Sequence, residues 1–357
     1  MSNVAIRTTT PKAAIKSIKK AIKHRRPVMI WGPPGIGKSD VVKQIGAETN
    51  RPVIDIRLAL WDPTDIKGMP YLSSEGAMRW AAPSELPQNA DSTAIIFLDE
   101  IVSAPPAVQA AAYQLILNRR VGEYQLPAGV DIVAAGNREG DRGVTFKMPA
   151  PLSNRFIHLE MAVAFDDWLD WAVSNDVHPE VVGYLSFAKQ DLFDFDPKGA
   201  SRSFATPRSW CFVSDLLKDE DDDDASLSDL TSGAIGDGLS AKFMAHRKVC
   251  GKMPRPIDIL EGKVKELKVK EVSAMYALTV SLCYELKELC TKKNKKWYEY
   301  VDRYFEFVMA NFPTELVVMG AKVAISNYNL DIDPAKLKSF DEFYNRFGKY
   351  VFAGSQD

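Results

Sequence analysis

Apolar residues recur on one face of residues 11–26. Ala14, Ile15, Ile18, Ala21 and Ile22 share a stripe, and lysines fill the other side. That spacing predicts an amphipathic helix, stopped by Pro27. Val28-Met29-Ile30-Trp31 follows as a short buried strand, then a glycine-rich stretch, then a helix expected over 38–49. Residues 53–57 read as a second strand. From 61 to 89 the pattern breaks into turns, with Pro63, Gly68, Pro70, Gly76, Pro83 and Pro87 as punctuation. A connection that long usually has a function or small elements of its own. Residues 94–98 form an apolar strand, 105–118 a helix opened by two prolines, 122–130 a hairpin, and 131–135 another buried strand. Strands and helices thus alternate up to about residue 160, which predicts a parallel sheet with helices on both faces. Beyond 164 the pattern turns helical, over 168–188, 207–217 and most of the chain from 227.

Composition narrows the class. The chain has 357 residues, 46% of them hydrophobic and 26% charged, with net charge −2. Two or three domains with their own cores are expected. The charge gives no bulk attraction to nucleic acid or anionic membranes. No apolar run is long enough for a membrane span, and the N-terminus has no signal-peptide core, so a cytoplasmic protein is expected. Cys211, Cys250, Cys283 and Cys290 have no CxxC spacing. They read as reduced, buried thiols rather than a zinc site or disulfide framework. The acidic run 219–224 reads as a solvated loop.

The chemistry starts at Gly32-Pro33-Pro34-Gly35-Ile36-Gly37-Lys38-Ser39, a complete GxxxxGK[ST] pattern. A triphosphate is densely negative. A loop with few side chains offers it backbone N–H groups, and the next helix offers its N-terminus. Lys38 is expected to reach the β- and γ-phosphates of ATP, and the Ser39 hydroxyl to ligate Mg²⁺. Asp99 and Glu100 end the apolar strand 94–98, with sixty residues between Lys38 and Asp99. Ligands bind beyond the carboxyl ends of parallel strands. Asp99 is therefore expected to hold Mg²⁺, and Glu100 to polarise the attacking water. Asn137 closes the strand that begins at Asp131. If that strand neighbours the Asp99 strand, its amide faces the same crevice.

With these parts in order, the chain resembles the AAA+ ATPases, and within them the MoxR-like group. Asp99-Glu100-Ile101 with the segment 104–111 looks like that group's Walker B strand and following helix. Asn137 matches the first sensor. Pro151-Leu152-Ser153-Asn154-Arg155-Phe156 is similar to the segment that carries the arginine finger, which implies that role for Arg155. Ala205-Thr206-Pro207-Arg208 looks like the second-sensor motif, which implies a role for Arg208. Residues 61–87 resemble the insertion in the group's second helix, and 122–130 its pre-sensor hairpin. Two features depart from the pattern: Val102-Ser103 stands where Asn-Arg is usual, and Arg119-Arg120 where an acidic pair is usual.

The resemblance implies an α/β P-loop NTPase core over 1–160, an all-α lid over 161–260, and a C-terminal helical extension over 261–357. It also implies a homo-oligomeric ring, usually a hexamer, with ATP at each subunit boundary. The work expected of it is remodelling or maturation of a protein partner, in this group often one with a von Willebrand factor A domain. A nucleic-acid motor on the same core is the alternative, motivated by the basic residues in 16–26 and 292–296, with Trp297 and Tyr298 beside the second. A small-molecule kinase would explain the phosphate loop but leave Glu100, Asn137 and Arg155 without a task.

Overall fold

A computed structural model of the chain describes residues 7–352, apart from 142, 144 and 219–223. The chain divides into two compact units. One runs to Ala164 and includes Asp196–Gly199; the other holds Phe165–Phe195 and the residues from Ala200 onward.

The first unit contains, in chain order, β1 (Thr8–Thr9), α1 (Pro11–Lys23), β2 (Val28–Trp31), α2 (Lys38–Glu48), β3 (Val53–Arg57), α3 (Pro63–Lys67), β4 (Met69–Leu72), β5 (Met78–Ala81), β6 (Ile95–Asp99), α4 (Pro106–Asn118), β7 (Arg120–Val121), β8 (Tyr124–Gln125), β9 (Asp131–Gly136), α5 (Ala150–Ser153) and β10 (Ile157–Met161). Six strands make one sheet in the order β1-β10-β2-β9-β6-β3. Every pairing in it is parallel. Helix α4 covers one face through Val108, Ala111, Ala112 and Leu115, which share a core with Met29, Ile96, Leu98, Ile132 and Ala134. Helices α1 and α2 pack on each other and on the sheet. Burial on both faces is why β9 is buried along its whole length and reads as a continuous apolar run rather than an alternating one.

The predicted α/β architecture is present, with local corrections. Helix α1 ends at Lys23, not near Arg26, because Arg25 adopts a left-handed backbone with φ 56° and turns the chain before Pro27. Strands β1 and β10 were not anticipated. β1 is only two residues long, and β10 alternates apolar with polar residues, so neither carries the run that marks the central strands. The turn-rich stretch 61–89 holds α3 and an antiparallel β4–β5 hairpin. Strands β7 and β8 form a second, shorter hairpin at 120–125.

The second unit is helical: α6 (Phe165–Ser174), α7 (Pro179–Phe187), α8 (Pro207–Leu216), α9 (Asp224–Ile235), α10 (Asp237–Cys250), α11 (Pro256–Leu260), α12 (Val272–Thr291), α13 (Trp297–Asn311), α14 (Thr314–Lys322) and α15 (Phe340–Val351). The helix expected over 168–188 is two helices. Asp176, at φ 53°, breaks it, and Pro179 opens α7 behind the His178 cap. Tyr184, Trp210, Phe243 and His246 form an aromatic cluster. The Tyr184 hydroxyl donates to Asp191 Oδ2 at 2.5 Å. A second core joins α11 to α15 and includes Leu282, Tyr304, Phe305 and Phe343. Among the thiols Cys283 is buried, while Cys211, Cys250 and Cys290 are half-buried, and none of the four forms a disulfide among the described residues. Of the acidic run, 219–223 lie outside the described residues. Among the described residues no helix is long and apolar enough to cross a membrane.

Helices α7 and α12 cross in tight contact at Gly183. A Cβ there would lie 2.5 Å from Ala277 Cα, and backbone cannot yield as a flexible side-chain end can. Gly183→Val is expected to cost about 1–3 kcal/mol through overpacking. A thermal melt checks this, and an unchanged midpoint would contradict so tight a crossing.

Candidate nucleotide site

Strand β2 ends at Trp31, and the chain turns at once into the glycine-rich loop. Gly32 leads it, and a Cβ there would lie 2.7 Å from Ile36 Cδ1 and 2.8 Å from the Met161 carbonyl oxygen. Only glycine fits without displacing the neighbouring strand. Gly35 and Gly37 have φ of 75° and 88°, the left-handed region that glycine enters freely. These turns aim the loop's backbone over the N-terminus of α2. Lys38 and Ser39 are the first residues of that helix.

The Lys38 ammonium donates to the carbonyl oxygens of Gly32 and Pro33 at 2.8 and 2.9 Å, and to Asn137 Oδ1 at 2.9 Å. The lysine thus lies inside the loop's curve. Asn137 reaches it because β9 lies between β2 and β6. Strand β6 brings in the carboxylates. Ser39 Oγ donates to Asp99 Oδ2 at 3.3 Å. A hydroxyl and a carboxylate at that separation are two hard oxygen donors within reach of one cation, the donor type Mg²⁺ prefers. The residues present therefore fit a Mg²⁺–triphosphate pair.

Glu100 stands just beyond Asp99, exposed, with φ 55° and ψ 32°. A non-glycine residue in this region is strained, and such residues cluster at functional sites. Its backbone N–H donates to Asp99 Oδ1 at 2.9 Å, which orients the metal-side carboxylate. On the neighbouring strand the Asp55 carboxyl is raised above its ordinary range, first by partial burial and then by the charge of Asp99. An excess of carboxylate at this edge favours a cation there.

Arg155 belongs to the opposite edge of the sheet. It precedes β10, whose first residue, Ile157, donates its N–H to the Pro27 carbonyl at 2.9 Å, at the start of β2. At about 3.3 Å per residue, a five-residue strand separates the two edges by about 16 Å. Arg155 is exposed, beside a recess of about 240 Å³ also lined by Arg25, Arg26, Arg119 and Asp131. Asp131 is nearly buried and accepts from Arg25 at 3.0 Å and from Arg51 at 2.7 Å. The Arg119 guanidinium is lowered from its ordinary value, chiefly by burial. It donates to the Pro127 and Val130 carbonyls, both at 2.7 Å. Arg208 lies in the second unit. It is exposed in the first turn of α8, behind a capping box of Thr206 and Ser209.

Lys38, Ser39, Asp99, Glu100 and Asn137 lie at one edge of the sheet, together with residues that no motif names. Arg138, directly after Asn137, forms an ion pair with Glu160 of β10. A basic residue following a strand-end asparagine was the available signal. Trp31 and His158 also contact across β2 and β10, and nothing in the sequence joins positions so far apart.

Lys38→Ala removes the ammonium that lies within this curve of backbone. ATP affinity is expected to fall by about 100-fold or more, since charge-assisted bonds to phosphate are lost. Titration with a fluorescent ATP analogue measures this, and affinity within a few-fold of wild type would remove Lys38 from the site.

Residues 27–156 match the family model of the AAA domain, dynein-related subfamily. A stretch of 195 residues is 29% identical to midasin of Giardia intestinalis, covering 52% of this chain and 4% of that protein. The chain thus spans a small fraction of the length of the curated relative it matches. Among solved structures, the RuvB Holliday junction branch migration motor of Thermotoga maritima is 20% identical, with 71% of this chain and 76% of that chain covered and a TM-score of 0.36. NtrX of Brucella abortus in complex with ADP is 14% identical, with 95% and 68% covered and a TM-score of 0.40.

Proposed function

We propose, from the premise that residues 27–156 form an AAA domain, that this chain hydrolyses ATP in the presence of Mg²⁺ and does so as an oligomeric ring. The observation that carries the reading is the meeting at one sheet edge of Lys38 with Asn137 and of Ser39 with Asp99. The loop from Gly32 to Gly37 and the N-terminus of α2 would bind the phosphates through backbone N–H groups. Ser39 and Asp99 would hold Mg²⁺, which when bound offsets negative charge on the phosphates. Asn137 would trade its bond with Lys38 for one to the γ-phosphate or the attacking water. Glu100 would accept a proton from that water and direct its lone pair at phosphorus.

The position of Arg155 supports the ring reading. It cannot fold back across the sheet to its own phosphate loop, so any role at a γ-phosphate is played at a neighbour's. For Arg208 the second-sensor role is implied by the resemblance of Ala205-Thr206-Pro207-Arg208 to that motif. The hexamer, the use of hydrolysis to remodel a protein partner, and a partner with a von Willebrand factor A domain are implied by the MoxR-like resemblance. The β4–β5 hairpin supports a protein partner. It exposes Met69, Leu72 and Met78, apolar side chains of a kind that protein contacts cover.

The test is phosphate release together with mass in solution, with and without ATP and Mg²⁺. Magnesium-dependent hydrolysis accompanied by assembly is the expected result. A chain that stays monomeric with ATP and hydrolyses it at full rate would overturn the shared site. Transfer of the phosphoryl group to a small molecule would overturn hydrolysis.

A further inference from the structure

His158 lies on β10, exposed, on neither edge where the nucleotide chemistry has been placed. Its two ring nitrogens are both engaged. Trp31 Nε1 donates to His158 Nδ1 at 2.8 Å. An indole N–H can only donate, so Nδ1 is the acceptor and the neutral ring carries its proton on Nε2. That Nε2 lies 2.8 Å from the Ser153 carbonyl oxygen, to which it donates, and 3.2 Å from Ser153 Oγ. The indole and imidazole rings are also stacked, with centroids 6.0 Å apart and planes 19° apart.

Both ends of this bridge matter. Trp31 is the last residue of β2 and is bonded covalently to Gly32, where the phosphate loop starts. The Ser153 carbonyl also accepts the Phe156 N–H at 3.1 Å, and this bond closes the turn Ser153-Asn154-Arg155-Phe156. Arg155 is the third residue of that turn. The imidazole therefore clamps the oxygen that closes the turn presenting Arg155. The ring of Phe156 packs edge-on against the imidazole, with centroids 6.4 Å apart.

We propose that His158 is a positioning residue. It fixes the turn that offers Arg155 to a neighbouring subunit and ties that turn to the strand leading into its own subunit's phosphate loop. The Arg155 presented outward then depends on the state of the loop behind it. The bond from Trp31 and the bond to Ser153 share one ring, so a displacement of Trp31 reorients the donor on the Ser153 carbonyl. This rests on the shared-site reading above and adds to it a route by which one subunit's loop acts on the next subunit's turnover.

Three variants of the full chain test it. His158→Phe keeps a ring to stack on Trp31 but has neither donor nor acceptor. His158→Gln restores one of each. Trp31→Phe removes the indole N–H and keeps an aromatic side chain, which guards against a folding failure of the first. His158→Phe and Trp31→Phe are each expected to lower kcat by about 10- to 100-fold, the effect of misplacing a group by about 1 Å. KM for ATP should stay within about twofold, because the variant's own loop is intact. His158→Gln should recover most of the loss. The deciding measurement mixes His158→Phe with excess Lys38→Ala chains, at an ATP concentration well below the weakened affinity expected of Lys38→Ala; those chains still carry an intact Arg155. Turnover per His158→Phe chain is expected to rise, and Arg155→Ala mixed the same way is the reference. Recovery of Arg155→Ala without recovery of His158→Phe would overturn the role given to His158. So would an unchanged kcat in both His158→Phe and Trp31→Phe, or a His158→Gln as impaired as His158→Phe. Failure of Arg155→Ala itself to recover would overturn the shared-site reading instead.

Discussion

Arg155→Ala is expected to lower ATP turnover by about 10³- to 10⁵-fold and leave ATP affinity nearly unchanged, the range seen when an arginine finger is removed from other P-loop enzymes. The geometry gives the reason. Among the described residues the backbone N–H of Arg155 donates to the Leu152 carbonyl at 3.0 Å, its side chain is exposed, and it stands at the amino edge of the sheet. On the ring reading proposed above, it would add nothing to its own nucleotide and would offer a positive charge to the charge that develops on a γ-phosphate across a boundary. Its loss is felt at the transition state and not in the bound ground state, so kcat falls while binding holds. Turnover and ATP affinity measured on the same preparation check this. An equimolar mixture with Glu100→Gln chains should recover part of the rate, because each Arg155→Ala site can then face an intact arginine. A mixture no faster than its components would show that the arginine acts at its own site or not at all.

Glu100→Gln is expected to lower turnover by about 10²- to 10⁴-fold, the usual range for removing a general base. Glutamine keeps the size of the side chain and its hydrogen bonds to water but cannot take a proton. The phosphate contacts proposed above come from Lys38, Ser39 and the loop backbone, none of which the substitution touches. ATP should therefore bind normally and persist, and the variant should trap the assembled form. Single-turnover phosphate release and mass in solution with ATP measure both effects. Turnover within tenfold of wild type would shift the base role to another group, with Asp99 the nearest carboxylate.

The two sides of the site were legible in the sequence to different degrees. The phosphate loop was readable because its chemistry is local. Its glycines, Lys38 and Ser39 occupy eight consecutive positions, and the backbone angles they need are a property of the residues themselves. Asp99 and Glu100 were readable because a fully apolar strand must be buried and its carboxyl end must open on a crevice. Asn137 was readable only conditionally, since its value depended on β9 lying between β2 and β6. Strand β10 was not read. It is half-exposed, so its side chains alternate and lack the run that marks a central strand. With β10 went His158 and Glu160, and with them the contacts to Trp31 and Arg138.

The sequence by itself determined the fold class, the phosphate loop, the carboxylate pair and the helical character of the second half. Those are set by periodicity, by burial of apolar runs and by the backbone freedom of glycine, all local quantities. Tertiary structure alone decided which strand lies beside which, and hence that Lys38 meets Asn137, that Asp99 comes within 3.3 Å of Ser39, and that Arg155 faces away from both. Strand order is settled by the packing of whole faces against helices, an energy summed over residues far apart in the chain. No pattern within a short window carries it.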